Sequence, residues 1–225
     1  MGIRSKRYIQ ESQQTNQTPV SLPEAVKKIK TFKSVKFDQS IECVVNLGID
    51  TKQADQLIRG SLSLPHGVGK QKKVIAFCED SDIEAAKKAG AIEAGGDELI
   101  KKISDGWMDF DIAVASPKLM GKAGKLGRIL GPQGKMPSPK NGTVTADIVT
   151  AVAEFTAGKI EFKSDAGGNV QVVVGRQSFE ADKLIGNIEA FVSYINKIKP
   201  ATAKGTYIKK VCISATMSPS VTINM

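Results

Sequence analysis

The densest run of cations and glycines in the chain is Lys118 to Lys140, KLMGKAGKLGRILGPQGKMPSPK. Lys118, Lys122 and Lys125 follow an i, i+4, i+7 spacing, so a helix would place them on one face. Gly121, Gly124 and Gly127 permit close backbone approach, although glycine weakens a helix, so part of the run can be loop. Cations on such a backbone suit phosphate. No Gly-x-Gly-x-x-Gly fingerprint occurs. Gly134-Lys135 continues into Met136 and Gly69-Lys70 into Gln71, so neither is a Walker loop. A nucleic-acid backbone and a bare surface loop remain open readings. The chain has one histidine, His66, in a Leu64-Pro65-His66-Gly67 loop. It could act as a base, but no Gly-x-Ser-x-Gly elbow accompanies it, and a turn role fits as well. Glu79, Asp80, Asp82 and Glu84 could hold a metal, yet their place before a helix start fits capping better. Asp109 and Asp111 flank an apolar segment with nothing to orient them. No catalytic group, metal site or cofactor is expected.

The three cysteines, Cys43, Cys78 and Cys212, lie far apart in apolar stretches. They read as small buried hydrophobes in a reducing compartment. No run of about 18 apolar residues suggests a membrane span. The basic N-terminus lacks the apolar core of a secretory signal. An intracellular, cytoplasmic protein without a membrane partner is expected.

Charge narrows the partner. The 225 residues carry 32 Lys+Arg and 23 Asp+Glu, a net of +9, with a pI near 9.4. Such a surplus favours a polyanion. It is also uneven. Residues 1–36 hold eight basic and two acidic side chains, whereas residues 79–111 hold ten acids and four bases. Between Asp111 and Asp147 there are six bases and no acid, Lys118, Lys122, Lys125, Arg128, Lys135 and Lys140. After Glu189 five lysines follow without an acid. Acid-free tracts point to phosphate contact. The acidic segment is expected to face away from them.

These residues need elements to position them. The first twenty residues are Gln/Thr/Ser-rich and read as loosely ordered. Ser21-Leu22-Pro23-Glu24 fits a capping box, followed by an apolar stripe of Ala25, Val26, Ile29 and Phe32. Ile41 to Leu47 alternates as a strand. A short polar helix over residues 51–59 and a strand over 61–64 follow. Beyond the Pro/Gly loop at 64–70 the pattern changes to short apolar strands, Val74 to Phe77 and Phe110 to Ala115, alternating with helices. One of these opens at a second capping box, Ser81-Asp82-Ile83-Glu84, and Ala91-Ile92 reads as a further short strand. This is the pattern of a small parallel α/β layer. After Gly158 it changes back. Residues 159–163 and 170–174 read as a hairpin around Asp165 to Asn169, residues 180–199 as an amphipathic helix, and 207–217 as a strand. The expected fold is an α+β domain built from both chain ends, residues 1–67 and 158–225, with an inserted Rossmann-like α/β domain with a parallel sheet, residues 68–157.

Several stretches resemble one family. They are Lys36-Phe37-Asp38 with Glu42, Ala54-Asp55-Gln56 with Arg59-Gly60, and Leu64-Pro65-His66-Gly67. Then come Gly95-Gly96-Asp97, residues 106–111 (GWMDFD) and residues 126–132 (LGRILGP), followed by residues 158–162 (GKIEF), 203–207 (AKGTY) and Thr216-Met217. Together, and in this order, they resemble the bacterial form of large-subunit ribosomal protein L-one, the protein of the mobile ribosomal stalk. The resemblance implies two domains, one inserted in the other, and no enzymatic activity. It implies binding of large-subunit ribosomal RNA through Lys36, Phe37, Glu161, Lys163, Thr216, Met217 and Ser218. It implies contact with exit-site tRNA, for which the Lys118–Lys140 cations are the candidates, and repression of the protein's own operon mRNA. Lys36 and Lys163 would supply charge, Thr216 hydroxyl and backbone groups, Phe37 and Met217 apolar contact. From the residues alone, Phe37 and Met217 fit core packing equally.

The chain departs from the family at four positions. Ser218 stands where the family has glycine, which would strain a turn needing positive φ. Thr222 replaces a basic residue, and Gln133 and Ser138 stand where Arg and Asn are usual. A nucleotide-binding α/β enzyme is the alternative reading, motivated by the strand–helix alternation.

Overall fold

The computed structural model describes residues 5–15, 18–32 and 35–224. By internal packing the chain divides into two compact units, residues 1–69 with 160–225, and residues 70–159. The architecture is an α+β unit made from both chain ends and an inserted α/β unit with a parallel sheet.

The first unit begins with helix α1, Lys6–Gln14, capped by the Ser5 side chain. The segment expected to be loose is therefore helical over these residues; residues 1–4, 16 and 17 lie outside the described residues. Helix α2 spans Leu22–Thr31. Pro23 sits in its first turn, but the Ser21 side chain makes no cap hydrogen bond, so the expected capping box does not close. Strand β1, Ser40–Leu47, alternates as its sequence demands, with Ile41, Cys43, Val45 and Leu47 buried. Residues 51–59 do not form the expected helix. Instead Gln56 folds back, its Oε1 accepting from the Asp50 backbone N–H and its amide donating to Gln53. A polar side chain that satisfies nearby backbone offers an alternative to the helix. Strand β2 is Arg59–Leu62.

In the second unit, β3 (Val74–Phe77), β4 (Glu93–Gly95) and β5 (Ile112–Ala115) form a parallel sheet in the order β4-β3-β5. The short strand expected at Ala91-Ile92 lies two residues later, as β4. Helices α3 (Ile83–Lys88), α4 (Asp97–Ser104), α5 (Met120–Ala123), α6 (Gly127–Leu130) and α7 (Ile148–Ala157) cover both faces. Val74, Ala76 and Val114 pack with Ala86, Val152 and Phe155 on one face. Ile75, Phe77 and Ala113 pack with Ile103, Leu126 and Leu130 on the other. Burial on both sides explains strands that are apolar throughout rather than alternating. The second capping box also stays open. A 3₁₀ turn at Asp80–Asp82 leads into α3 with no side-chain cap.

The chain then returns to the first unit through β6 (Ile160–Lys163), β7 (Asn169–Arg176), helix α8 (Ala181–Lys197), β8 (Ile208–Ala215) and β9 (Val221–Ile223). The expected hairpin is only half formed. Asp165 closes the turn by accepting from the backbone N–H groups of Gly167 and Asn169, but a single bridge, Ser164 to Val170, links the strands. β6 pairs with β2, while β7 joins an antiparallel sheet in the order β7-β1-β8-β9. The inner face of that sheet packs on α2 and α8 through Val26, Ile29, Ile188 and Phe191. Its other face is left uncovered by these helices, with Glu42, Asn46, Gln171, Lys210, Ser214 and Thr222 exposed or half-exposed. No described helix is long and apolar enough to cross a membrane.

Candidate nucleic-acid interface

Strand register decides which candidates meet. In the four-stranded sheet Ser40 pairs with Arg176 and Ile41 with Ala215. That register brings the segment before β1 and the turn after β8 to one sheet end. Thr216 N–H and Thr216 Oγ1 both donate to the Ser40 carbonyl, at 3.0 and 3.3 Å. Ser218 N–H donates to Ala215 O at 2.9 Å and closes the turn. Met217 then takes φ +61 and leaves its side chain 67% exposed. Phe37, 50% exposed, lies on the adjoining segment. Asp38 fixes that segment. Its carboxylate accepts from Ser178 N–H and Oγ, and its carbonyl accepts from Arg176 Nη1. Lys36 is exposed beside Phe37. Both apolar candidates therefore stand outside the core, held from the backbone side.

Ser218 sits differently from the other candidates. It is buried at 9%, and its hydroxyl lies 3.3 Å from Gln39 Oε1, to which it donates. The positive φ falls on Met217, not on Ser218. The expected backbone strain at Ser218 is therefore absent, and its side chain supports the turn from inside.

Glu161 and Lys163 lie elsewhere, on β6. Their cross-strand partners are Ser61 and Arg59. Ser164, next to Lys163, bridges Val170, five residues along β7 from the Gly175–Ile41 pair. At about 3.3 Å per residue that is roughly 17 Å. The candidates thus form two groups, the Lys36–Thr216–Met217 end and the β6 strand. Arg59, directly opposite Lys163, carries part of the family resemblance but is not among the RNA-binding candidates read from sequence. Both are exposed, and like charges facing each other across strands destabilise a sheet. Glu161, two residues from Lys163 on the same face of β6, supplies one carboxylate beside them.

In the second unit the Lys118–Lys140 cations do not share one helix face. Gly124 and Gly127 break the run into α5, a 3₁₀ turn and α6. Three of the six are engaged. Lys118 pairs with Glu79 at 3.1 Å and Lys122 with Asp97 at 2.8 Å. Lys135 donates to Met108 O at 3.2 Å and sits over the Phe110 ring. The Lys122 ammonium holds the Asp97 carboxyl below the usual carboxylate range. Two residues of the acidic segment, Glu79 and Asp97, therefore face the basic tract rather than turning away from it. Lys125, Arg128 and Lys140 are exposed and make no ion pair with any described residue.

His66 performs backbone work. Its N–H donates to Asn187 Oδ1 at 3.1 Å, and the Asn187 amide donates to Gly67 O and Val174 O. Cys43 and Cys78 are buried, Cys212 half-buried. Burial pushes the Cys43 thiol up to about 12, which removes it as a nucleophile. A cleft of about 620 Å³ opens near the carboxyl ends of β3 and β4, the place where α/β sheets take ligands. Asp80, Asp97 and Glu98 line it, and its Lys102 is paired with Glu93. With Lys87 also on its wall, the lining carries four carboxylates and two ammonium groups, so its balance is acidic. No group of three or more metal-ligating side chains occurs among the described residues.

Comparison with known proteins shows the family. The chain is 52% identical over 223 residues to "Large ribosomal subunit protein uL1" of Rhodopirellula baltica, covering 99% of each. It is 46% identical over 225 residues to "Large ribosomal subunit protein uL1" of Kosmotoga olearia, covering 100% of this chain and 97% of that one. A family model described as "Ribosomal protein L1p/L10e family" matches residues 11–219. These relatives are named as ribosomal proteins, not as enzymes. A match that runs from α1 through the Met217 turn takes in both units, so the chain belongs to the ribosomal protein L1p/L10e family.

Proposed function

We propose that the protein is a component of the large ribosomal subunit in the cytoplasm and binds large-subunit ribosomal RNA through the unit built from both chain ends. The carrying observation is the pair Phe37 and Met217, two exposed apolar side chains on hydrogen-bonded segments at one sheet end. Such side chains can stack on an unstacked base or ribose while neighbouring lysines take phosphate. Arg59 and Lys163, opposed on the β2–β6 pair, offer a second, separate contact. The second unit contacts exit-site tRNA through Lys125, Arg128 and Lys140. The protein also represses its own operon mRNA by offering that mRNA the same first-unit surface.

Filter binding to a stalk RNA fragment tests the first part. Affinity should fall steeply between about 50 and 200 mM salt, because phosphate neutralisation releases counterions. Met217→Ala should cost about 1–3 kcal/mol, the scale of a single nucleic-acid contact. A flat salt response, or a variant that binds like wild type, rejects the assignment. Operon leader RNA should compete for the same site. Crosslinking on intact ribosomes should place tRNA on the peptide spanning residues 118–140. Recovery of tRNA only on other peptides would remove the second unit from the proposal.

A further inference from the structure

Met217 holds a backbone conformation that L side chains rarely adopt, φ +61. Hydrogen bonds from Thr216 to Ser40 and from Ser218 to Ala215 fix its two neighbours. A third contact reaches Met217 itself from the far end of the sequence. Arg7 Nη2, on α1, donates to the Met217 carbonyl at 2.7 Å, across 210 positions. The other amino group of the same guanidinium, Nη1, donates to both carboxylate oxygens of Glu11, at 3.1 and 3.0 Å. Glu11 is buried at 4%. Arg7 is therefore anchored one helical turn along α1 and bonded to the turn at its other edge. The planar guanidinium fork suits this bridging, which an ammonium cannot reproduce.

Glu11 is the informative partner. A carboxylate beside an RNA-binding surface opposes a phosphate partner, so charge alone does not explain it. A structural task does. We propose that Arg7 is a positioning residue for the RNA surface, anchored by Glu11, which locks the Met217 backbone and so presents the Met217 side chain to a base or ribose. This rests on the reading of the Met217 turn as RNA-facing. The competing role for Arg7 is direct phosphate contact, and the two differ in sign.

The test uses the full chain and a stalk RNA fragment at two salt concentrations, with Glu11→Gln, Arg7→Ala, Met217→Ala and the Arg7→Ala/Met217→Ala double variant. Positioning gives a loss of about three- to tenfold for Glu11→Gln, although the substitution removes a negative charge. The double variant should bind within about twofold of Met217→Ala alone, because both changes act through one side chain. The salt slope should stay that of wild type. In the free protein the Met217 ε-methyl NMR resonance should move towards its unstructured position in Glu11→Gln. Equal or tighter binding by Glu11→Gln overturns the inference. So do multiplying losses with a slope reduced by about one, the mark of a lost phosphate contact, and so does an unmoved methyl resonance. If Met217→Ala itself binds like wild type, the reading of the turn fails instead, whatever the methyl signal does.

Discussion

Asn187 shows how one side chain can carry a loop. It is fully buried on α8 and makes three hydrogen bonds, to His66 N–H, Gly67 O and Val174 O. The first two belong to the Pro/Gly loop and the third to β7. Asn187→Leu removes all three hydrogen bonds and adds bulk at a fully buried position. Urea denaturation should show a loss of about 2–4 kcal/mol, the cost of stranding buried backbone groups. A loss below about 1 kcal/mol would mean that water replaces the amide. At this scale the sequence was informative about residue type and silent about partners. Phe37, Lys36 and Thr216-Met217 stood out through a family pattern. Arg7, Gln39 and Asn187 gave no local signal, because what matters in each is a partner far along the chain.

Among the elements, the pairing of the acidic segment with the Lys118–Lys140 tract is the clearest case of tertiary structure reorganising charge. Lys122 and Asp97 meet at 2.8 Å, and Asp97 is held below the ordinary carboxylate range. A depressed carboxylate stabilises the folded state above its unfolded pKa, and that contribution disappears as pH falls through the lower, folded value. Lys122→Ala should let the Asp97 carboxyl rise towards the ordinary range in a carbon-13 NMR titration. An unchanged midpoint would show that Lys122 is not the cause. The elements legible in advance were those with strong periodicity or apolar runs, namely α2, β1, β3, β5, α8 and β8. Two of the failures share a cause. Gln56 in residues 51–59 and Ser81 at the second Ser-x-x-Glu box take other hydrogen-bond partners, and composition alone does not rank them.

For the whole molecule, the topology sets the order in which surfaces can exist. The unit of residues 70–159 closes two apolar clusters around its own parallel sheet. Expressed alone, it should unfold cooperatively in denaturant. Residues 1–69 alone should not, because they supply only β1 of the four-stranded sheet, and β1 lies between β7 and β8. A cooperative transition in that N-terminal fragment would contradict the assignment of its core. The long bond from Arg7 to Met217 has a related consequence during synthesis. The seventh residue waits for the two hundred and seventeenth before the turn is locked, so the proposed RNA surface is completed only once residue 217 has been made. A chain released early from a broken message would carry a folded insert and all the basic residues of its N-terminus, yet lack the recognition edge. Only copies that extend past this turn would then compete for RNA, a selection that needs no separate factor.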